Sequence, residues 1–141
     1  MMYEQKNTMQ KGFTLIEILI AAALVMILGG IVTYSTQGIL EKNRKNTSRT
    51  SLKTVKGAIE TYHDETGEYP QALQDLVTRP SDEKVAANWS KFFDKVPRDG
   101  WNNPFVYQVT EGAENPFELY SYGSKKGKNT PKSEWIDAWK L

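Results

Sequence analysis

The sequence predicts an α+β protein in which one long N-terminal helix carries a small C-terminal antiparallel sheet. Three observations predict it. Apart from Thr14 and Glu17, residues 13–32 are apolar, and about 20 residues of helix (~30 Å) match the core of a bilayer. Leu52, Val55, Ile59 and Tyr62 recur at three- and four-residue steps, the pattern of a helix with one buried stripe. Residues 105–109 and 117–121 concentrate β-forming side chains on either side of a segment containing Gly112 and Pro116.

The chain opens on a short polar stretch, residues 1–12, that carries Lys6 and Lys11 but no apolar core. A secretory signal places its basic region, apolar run and cleavage site in that order. Here the candidate cleavage position precedes the apolar run, so cutting there leaves the helix on the mature protein. Glu17 stands inside that run. An ionised carboxylate in hydrocarbon costs roughly 2–4 kcal/mol on insertion scales, so its presence needs a reason. The modest reason is the positive end of the helix dipole, which favours an acid in the first turn.

Gly29 and Gly30 interrupt the apolar run near its far end, where they permit close helix approach or local unwinding. No proline occurs before Pro70, so the helix is expected to continue through the polar residues 35–51 to about His63. Such a helix is on the order of 75 Å long. Gly67, followed by Tyr69 and Pro70, supplies the stop. His63, the one histidine of the chain, is expected to be exposed at the helix end.

Residues 72–77 predict a short amphipathic helix ended by Pro80, and the polar residues 81–88 predict a loop. Trp89, Phe92 and Phe93 form an aromatic cluster expected on a further short helix, and residues 97–100 form a turn. The two β segments then make a hairpin whose inner face packs on the Leu52–Tyr62 stripe. The expected organisation is a leader over 1–12, a transmembrane helix over 13–33, the continuing half of the helix over 34–66, and a globular domain over 67–141.

Composition narrows the function. A net charge of +1 gives no long-range attraction to nucleic acid, and none is expected as a partner. With no cysteine, the chain has neither a disulfide framework nor a thiolate metal site. His63 has no nucleophile in a recognisable arrangement, and no phosphate-binding glycine loop, zinc motif or nucleophile elbow occurs. The chain is not expected to be an enzyme.

Lys11-Gly12-Phe13-Thr14-Leu15-Ile16-Glu17, running into the apolar stretch, resembles the type IV pilin and pseudopilin family. The resemblance implies cleavage by prepilin peptidase between Gly12 and Phe13 and N-methylation of Phe13 by the same enzyme. It also implies that Glu17 pairs with the N-terminal amine of a neighbouring subunit in a helical filament. Basic residues alone lean towards a cytoplasmic C-terminal side, given Lys42, Arg44, Lys45 and Arg49. The family implies the opposite: an inner-membrane anchor with the domain in the periplasm, which long domains achieve despite flanking charge. Where many family members carry a proline in this stretch, only Gly29, Gly30 or Gly38 is available here to let the helix melt. The lack of cysteine also separates this chain from the many adhesive pilins closed by a C-terminal disulfide.

The second half is similar to the major pseudopilins of type II secretion. Residues 62–70, then Leu73, Leu76, Val77 and Pro80, carry the likeness, as do residues 96–107, residues 117–123 and Trp139. The resemblance implies a structural subunit of a periplasmic, pilus-like filament that drives secretion. Its implied partners are further copies of itself, minor pseudopilins, the peptidase, and an inner-membrane platform with its ATPase. A type IV pilin subunit serving adhesion, motility or DNA uptake is the alternative. A calcium site is also implied, built from aspartates after a Ser-x-Gly segment and before the last tryptophan. Here Ser121-Tyr122-Gly123 is followed by Ser124, Lys125, Lys126, Gly127 and Lys128, so lysine stands where acids are expected. Ser121 and Glu134 remain as calcium candidates, but calcium wants about 6–8 oxygen ligands, several of them carboxylate. The expectation is therefore no cofactor, with Lys–acid contacts and Trp135 and Trp139 packing holding the loop.

Overall fold

The computed structural model describes Met2 and residues 11–125, 127 and 129–141, with residues 32–35 described by their backbone alone. Lys6, Lys126 and Lys128 lie outside the described residues. One helix, α1 (Leu15–Thr66, 52 residues), runs through Gly29, Gly30 and Gly38 without a break. By contacts the chain divides at Ile39 and Leu40 into two units.

Among the described residues of the first unit the large apolar side chains are uncovered. Leu15, Ile16, Val25, Met26 and Ile31 are each more than half exposed, and Phe13 is 88% exposed. This part of α1 is long and apolar enough to cross a membrane. The helix begins two residues later than Phe13, because Thr14 caps it.

The second unit contains the end of α1, a 3₁₀ turn at Leu73–Leu76, the short helix α2 (Glu83–Ala86) and three strands. Strands β1 (Val106–Val109), β2 (Phe117–Ser121) and β3 (Ile136–Asp137) form one antiparallel sheet in the order β1-β2-β3. Val106 pairs with Tyr120 and Val109 with Phe117, while Ser121 pairs with Ile136. The strand period of two puts Phe117, Leu119 and Ser121 on the buried face of β2 and leaves Glu118 exposed. Phe117 and Leu119 join Leu52, Val55, Ile59 and Tyr62 of α1 in one hydrophobic core. Each of these side chains contributes roughly 1.5–3 kcal/mol when fully buried. The α+β class and the packing of the hairpin on the helical stripe are as the sequence predicts.

Gly67 ends α1 at φ 80°, a left-handed conformation that suits glycine, and its N–H donates to His63 O at 2.8 Å. His63 is half-buried rather than exposed, because its ring stacks on Tyr69 with 4.1 Å between centroids. Three further expectations are corrected. The loop expected over 81–88 contains α2, whose N-cap Asp82 accepts from Lys84 N at 2.9 Å and whose Val85 and Ala86 are buried. Trp89, Phe92 and Phe93 are not helical, because they dock on the 3₁₀ turn. Phe92 N and Phe93 N both donate to Leu76 O, and Trp89 Nε1 donates to Asp75 O at 2.7 Å. The turn expected at 97–100 sits at 99–102, where Asn102 N donates to Asp99 O at 2.9 Å and Asn102 adopts φ 64°.

Candidate functional site

Two groups of polar residues stand out. The first is at the start of α1. Thr14 N donates to Glu17 Oε2 at 2.8 Å and Thr14 Oγ1 donates to the same oxygen at 3.0 Å. In return Glu17 N donates to Thr14 Oγ1 at 3.3 Å. This is a capping box, in which the first helical residues satisfy each other's orphan groups. The Thr-x-x-Glu spacing that signals it is present in the sequence, and Thr14 is the partner that sequence reasoning missed. Lys11 to Thr14 lie outside the helix, so the Gly12–Phe13 peptide bond is free of helical hydrogen bonding. Gly12 and Phe13 are exposed, as is Glu17. Gly12, Phe13 and Glu17 are thus gathered within six residues at the tip of an uncovered apolar helix.

The second group surrounds the segment between β2 and β3. Ser121 is fully buried, and its hydroxyl donates to Asp99 Oδ2 at 2.7 Å while accepting from Gly123 N at 3.0 Å. Asp99 Oδ1 accepts from Trp101 N at 3.0 Å and from Asn103 N at 2.7 Å. Glu134 accepts from Lys125 Nζ at 3.0 Å. The two calcium candidates, Ser121 and Glu134, are therefore each committed to a different protein partner. Among the described residues no group of three His, Asp or Glu side chains is placed to hold a metal ion.

Aromatic packing completes this face. Trp135 stacks on Tyr120 with 4.3 Å between centroids and meets Tyr122 edge-on. Trp139 Nε1 donates to Phe117 O at 2.9 Å, and Lys56 Nζ sits 3.8 Å from the centre of the Trp139 ring. Burial and the hydrogen bond with Tyr122 push the Tyr120 phenol up to about 12. Tyr107 is also raised, first by burial and then by the charge of Asp75. A cleft of about 320 Å³ beside the hairpin is lined by Thr110, Glu118, Lys132, Trp135 and Trp139, with no histidine to serve as a base. His63 is occupied by Tyr69 on another part of the unit.

These features belong to a known class of protein. The family described as type II secretion system (T2SS), protein G matches residues 36–139, and the prokaryotic N-terminal methylation motif matches residues 7–33. This chain belongs to the type II secretion system protein G family, a family of structural pseudopilin subunits rather than enzymes. It is 32% identical over 120 residues to the type II secretion system core protein G of Pseudomonas aeruginosa PAO1, covering 82% of this chain and 84% of that one. The corresponding core protein G of Escherichia coli K12 is 30% identical over 119 residues, covering 81% of each chain. The fold matches the crystal structure of the major pseudopilin from the type 2 secretion system of enterohaemorrhagic E. coli. That match has a TM-score of 0.60 at 21% identity and covers 74% of this chain and 94% of that one.

Proposed function

We propose that this chain is a major pseudopilin, the repeating structural subunit of a pilus-like filament that drives type II protein secretion. The observation that carries the reading is the N-terminal part of α1, apolar and exposed from Leu15 to Ile31 and marked at its tip by one acid, Glu17. An apolar patch of this extent has to be covered by lipid or by protein. A subunit that waits in the inner membrane and then enters a filament uses both covers in turn. Its C-terminal domain stands in the periplasm while it waits.

Prepilin peptidase cuts between Gly12 and Phe13 and methylates the new Phe13 amine. The cut removes the leader and leaves a free amine close to Glu17. Within one chain Glu17 is satisfied by Thr14; in the filament it exchanges that partner for the Phe13 amine of a neighbouring copy. Two charges are then neutralised together in an apolar interior, which sets the axial register because a misplaced copy leaves both unpaired. Minor pseudopilins, an inner-membrane platform and its ATPase complete the set of partners, and no nucleic acid belongs to it.

Intact-mass and N-terminal analysis of the protein from its native membrane tests this reading. The expected product begins with N-methylated Phe13. A chain that keeps Met1, or that is cut beyond Val32, removes the basis for filament assembly. Loss of the protein is also expected to leave secreted proteins stranded in the periplasm, and undiminished export would count against the secretion role.

A further inference from the structure

The loop joining β2 to β3 is the place where a divalent cation is expected from the fold family and where this chain's own atoms argue against one. Calcium binds through about 6–8 oxygens, with carboxylates supplying most of the charge. The acids at this end of the fold are Glu134, Asp137 and the buried Asp99, and each already has its donors. Glu134 Oε1 is paired with Lys125 Nζ at 3.0 Å, and Asp137 Oδ2 with Lys140 Nζ at 3.9 Å. Asp137 Oδ1 accepts from Trp139 N at 2.9 Å. Both oxygens of Asp99 are taken, by Trp101 N, Asn103 N and the Ser121 hydroxyl. The donor set does not fit calcium: it offers carboxylates that already carry ammonium or backbone partners, and bringing in the cation would set its double charge beside Lys125.

The carbonyl oxygens of the loop tell the same story. Thr130 is buried, and its hydroxyl shares its proton between Gly127 O at 3.1 Å and Lys125 O at 3.3 Å. Thr130 N also donates to Gly127 O, at 3.2 Å. Thr130 O in turn accepts from Trp135 Nε1 at 2.9 Å. One side chain thus gathers two carbonyls of the loop, and the Trp135 indole fixes the Thr130 carbonyl. The two ends of the loop meet closely at Gly123, which has φ 78° and whose missing Cβ would stand 3.0 Å from Glu134 O. Trp135, the residue after Glu134, is clamped on Tyr120.

We propose that this loop is closed by the chain's own donors, with Thr130 at its centre and the Lys125 ammonium neutralising Glu134 where a metal ion would otherwise do so, and that folding needs no calcium. The clasp is a property of the folded domain and stands whether or not the chain polymerises.

The experiment is thermal unfolding of the full-length processed protein in detergent micelles, followed by tryptophan fluorescence. Melts are recorded in excess EGTA and in about 5 mM calcium, above the ~0.1–1 mM range in which extracellular calcium modules bind. The expected result is the same Tm in both, within about 1 °C, where an occupied site would raise it by mass action. Thr130→Val, which keeps the shape and removes the donor, is expected to lower Tm by about 4 °C or more, and calcium is expected not to restore it. Thr130→Ser keeps the hydroxyl and is expected to melt close to the parent. A saturable rise in Tm with calcium in the parent chain overturns the proposal, and so does a Thr130→Val chain that melts like the parent or is rescued by calcium.

Discussion

The backbone N–H of Gly100 donates to Ser48 Oγ at 2.8 Å, joining the turn before β1 to the buried face of α1 across 52 residues of sequence. Ser48 Oγ passes its own proton back to Arg44 O, also at 2.8 Å, so one hydroxyl serves both the helix and the turn. Ser48 is fully buried. The approach is close enough that a Cβ on Gly100 would stand 2.1 Å from Arg44 O, a contact with backbone that cannot swing aside.

Gly100→Ala is therefore expected to destabilise the domain by about 1–3 kcal/mol, the usual cost of forcing extra volume into a packed site. Ser48→Ala removes the acceptor and leaves a buried N–H unpaired, at roughly 1–3 kcal/mol. Gly57→Ala is the control of opposite sign. Gly57 lies within α1 with nothing within 4 Å of its missing Cβ, so alanine is expected to stabilise by about 0.5–1 kcal/mol. Urea unfolding of the three variants reads the order directly. Equal midpoints for Gly100→Ala and Gly57→Ala would show that the turn is not pinned to the helix as described.

Phe117 is the centre of the core. It has no exposed surface, and its ring lies 5.1 Å from Trp139, 5.6 Å from Tyr69 and 5.8 Å from Tyr107, measured between centroids. The four rings come from both hairpin strands, the segment after α1 and the C-terminus. Phe117→Ala is expected to cost roughly 3–5 kcal/mol, a large share of the stability of a domain of this size. The denaturation midpoint should fall with little change in the slope against denaturant. A midpoint within error of the parent would mean that the aromatic cluster does not hold the sheet to the helix.

Much of this arrangement is legible in the sequence where the pattern is local. The Leu52, Val55, Ile59 and Tyr62 stripe repeats at the helical period, and Phe117, Leu119 and Ser121 alternate at the strand period, so both buried faces can be read directly. What is not legible depends on partners distant in the chain. β3 is two residues long and exists because Ile136 and Asp137 find the edge of β2, a pairing that no local propensity announces. Trp89, Phe92 and Phe93 have a composition compatible with helix, but their donors go to Asp75 O and Leu76 O of the preceding turn. The role of Lys125 lies between these cases. Its charge is evident as a departure from the family pattern, whereas the convergence of Thr130 and Trp135 appears only when the loop is closed.

Tyr107 gives the domain an alkaline limit. Its phenol donates to Pro70 O at 2.8 Å, and burial, Asp75, Tyr62 and Tyr69 all hold it protonated above the ordinary tyrosine range. Tyr62 is raised as well, chiefly by burial, and Tyr120 reaches about 12. The folded chain thus keeps protons that the unfolded chain releases near pH 10. This stability is fully present below about pH 10 and is lost as pH rises above it. Tyr107→Phe is expected to be less stable than the parent at pH 8, by about 1 kcal/mol for the lost bond to Pro70. The difference should narrow between about pH 10 and 12, because the phenylalanine chain has one proton fewer to lose. Melting curves across that range check it, and a constant difference would mean that Tyr107 titrates alike in both states.

Glu17 caps the helix in the structure and, in the proposed filament, also pairs with an amine; one substitution separates the two roles. As a capping residue it needs an oxygen that reaches Thr14 N and Thr14 Oγ1, now at 2.8 and 3.0 Å. Glutamine supplies that oxygen and is a recognised partner in such a box. As the charge partner of a neighbouring Phe13 amine it needs the negative charge, which glutamine lacks. The cap is a small term at an exposed helix end, whereas an amine left unpaired in an apolar filament interior is a large one. Glu17→Gln and Glu17→Ala are therefore both expected to be cut at Gly12 and methylated at Phe13, and both to fail to form filaments. Electron microscopy of overexpressed filaments, with mass analysis of the same cells, reads assembly and processing separately. Filaments from Glu17→Gln but not from Glu17→Ala would assign the residue to the cap and remove the charge pair from the assembly mechanism.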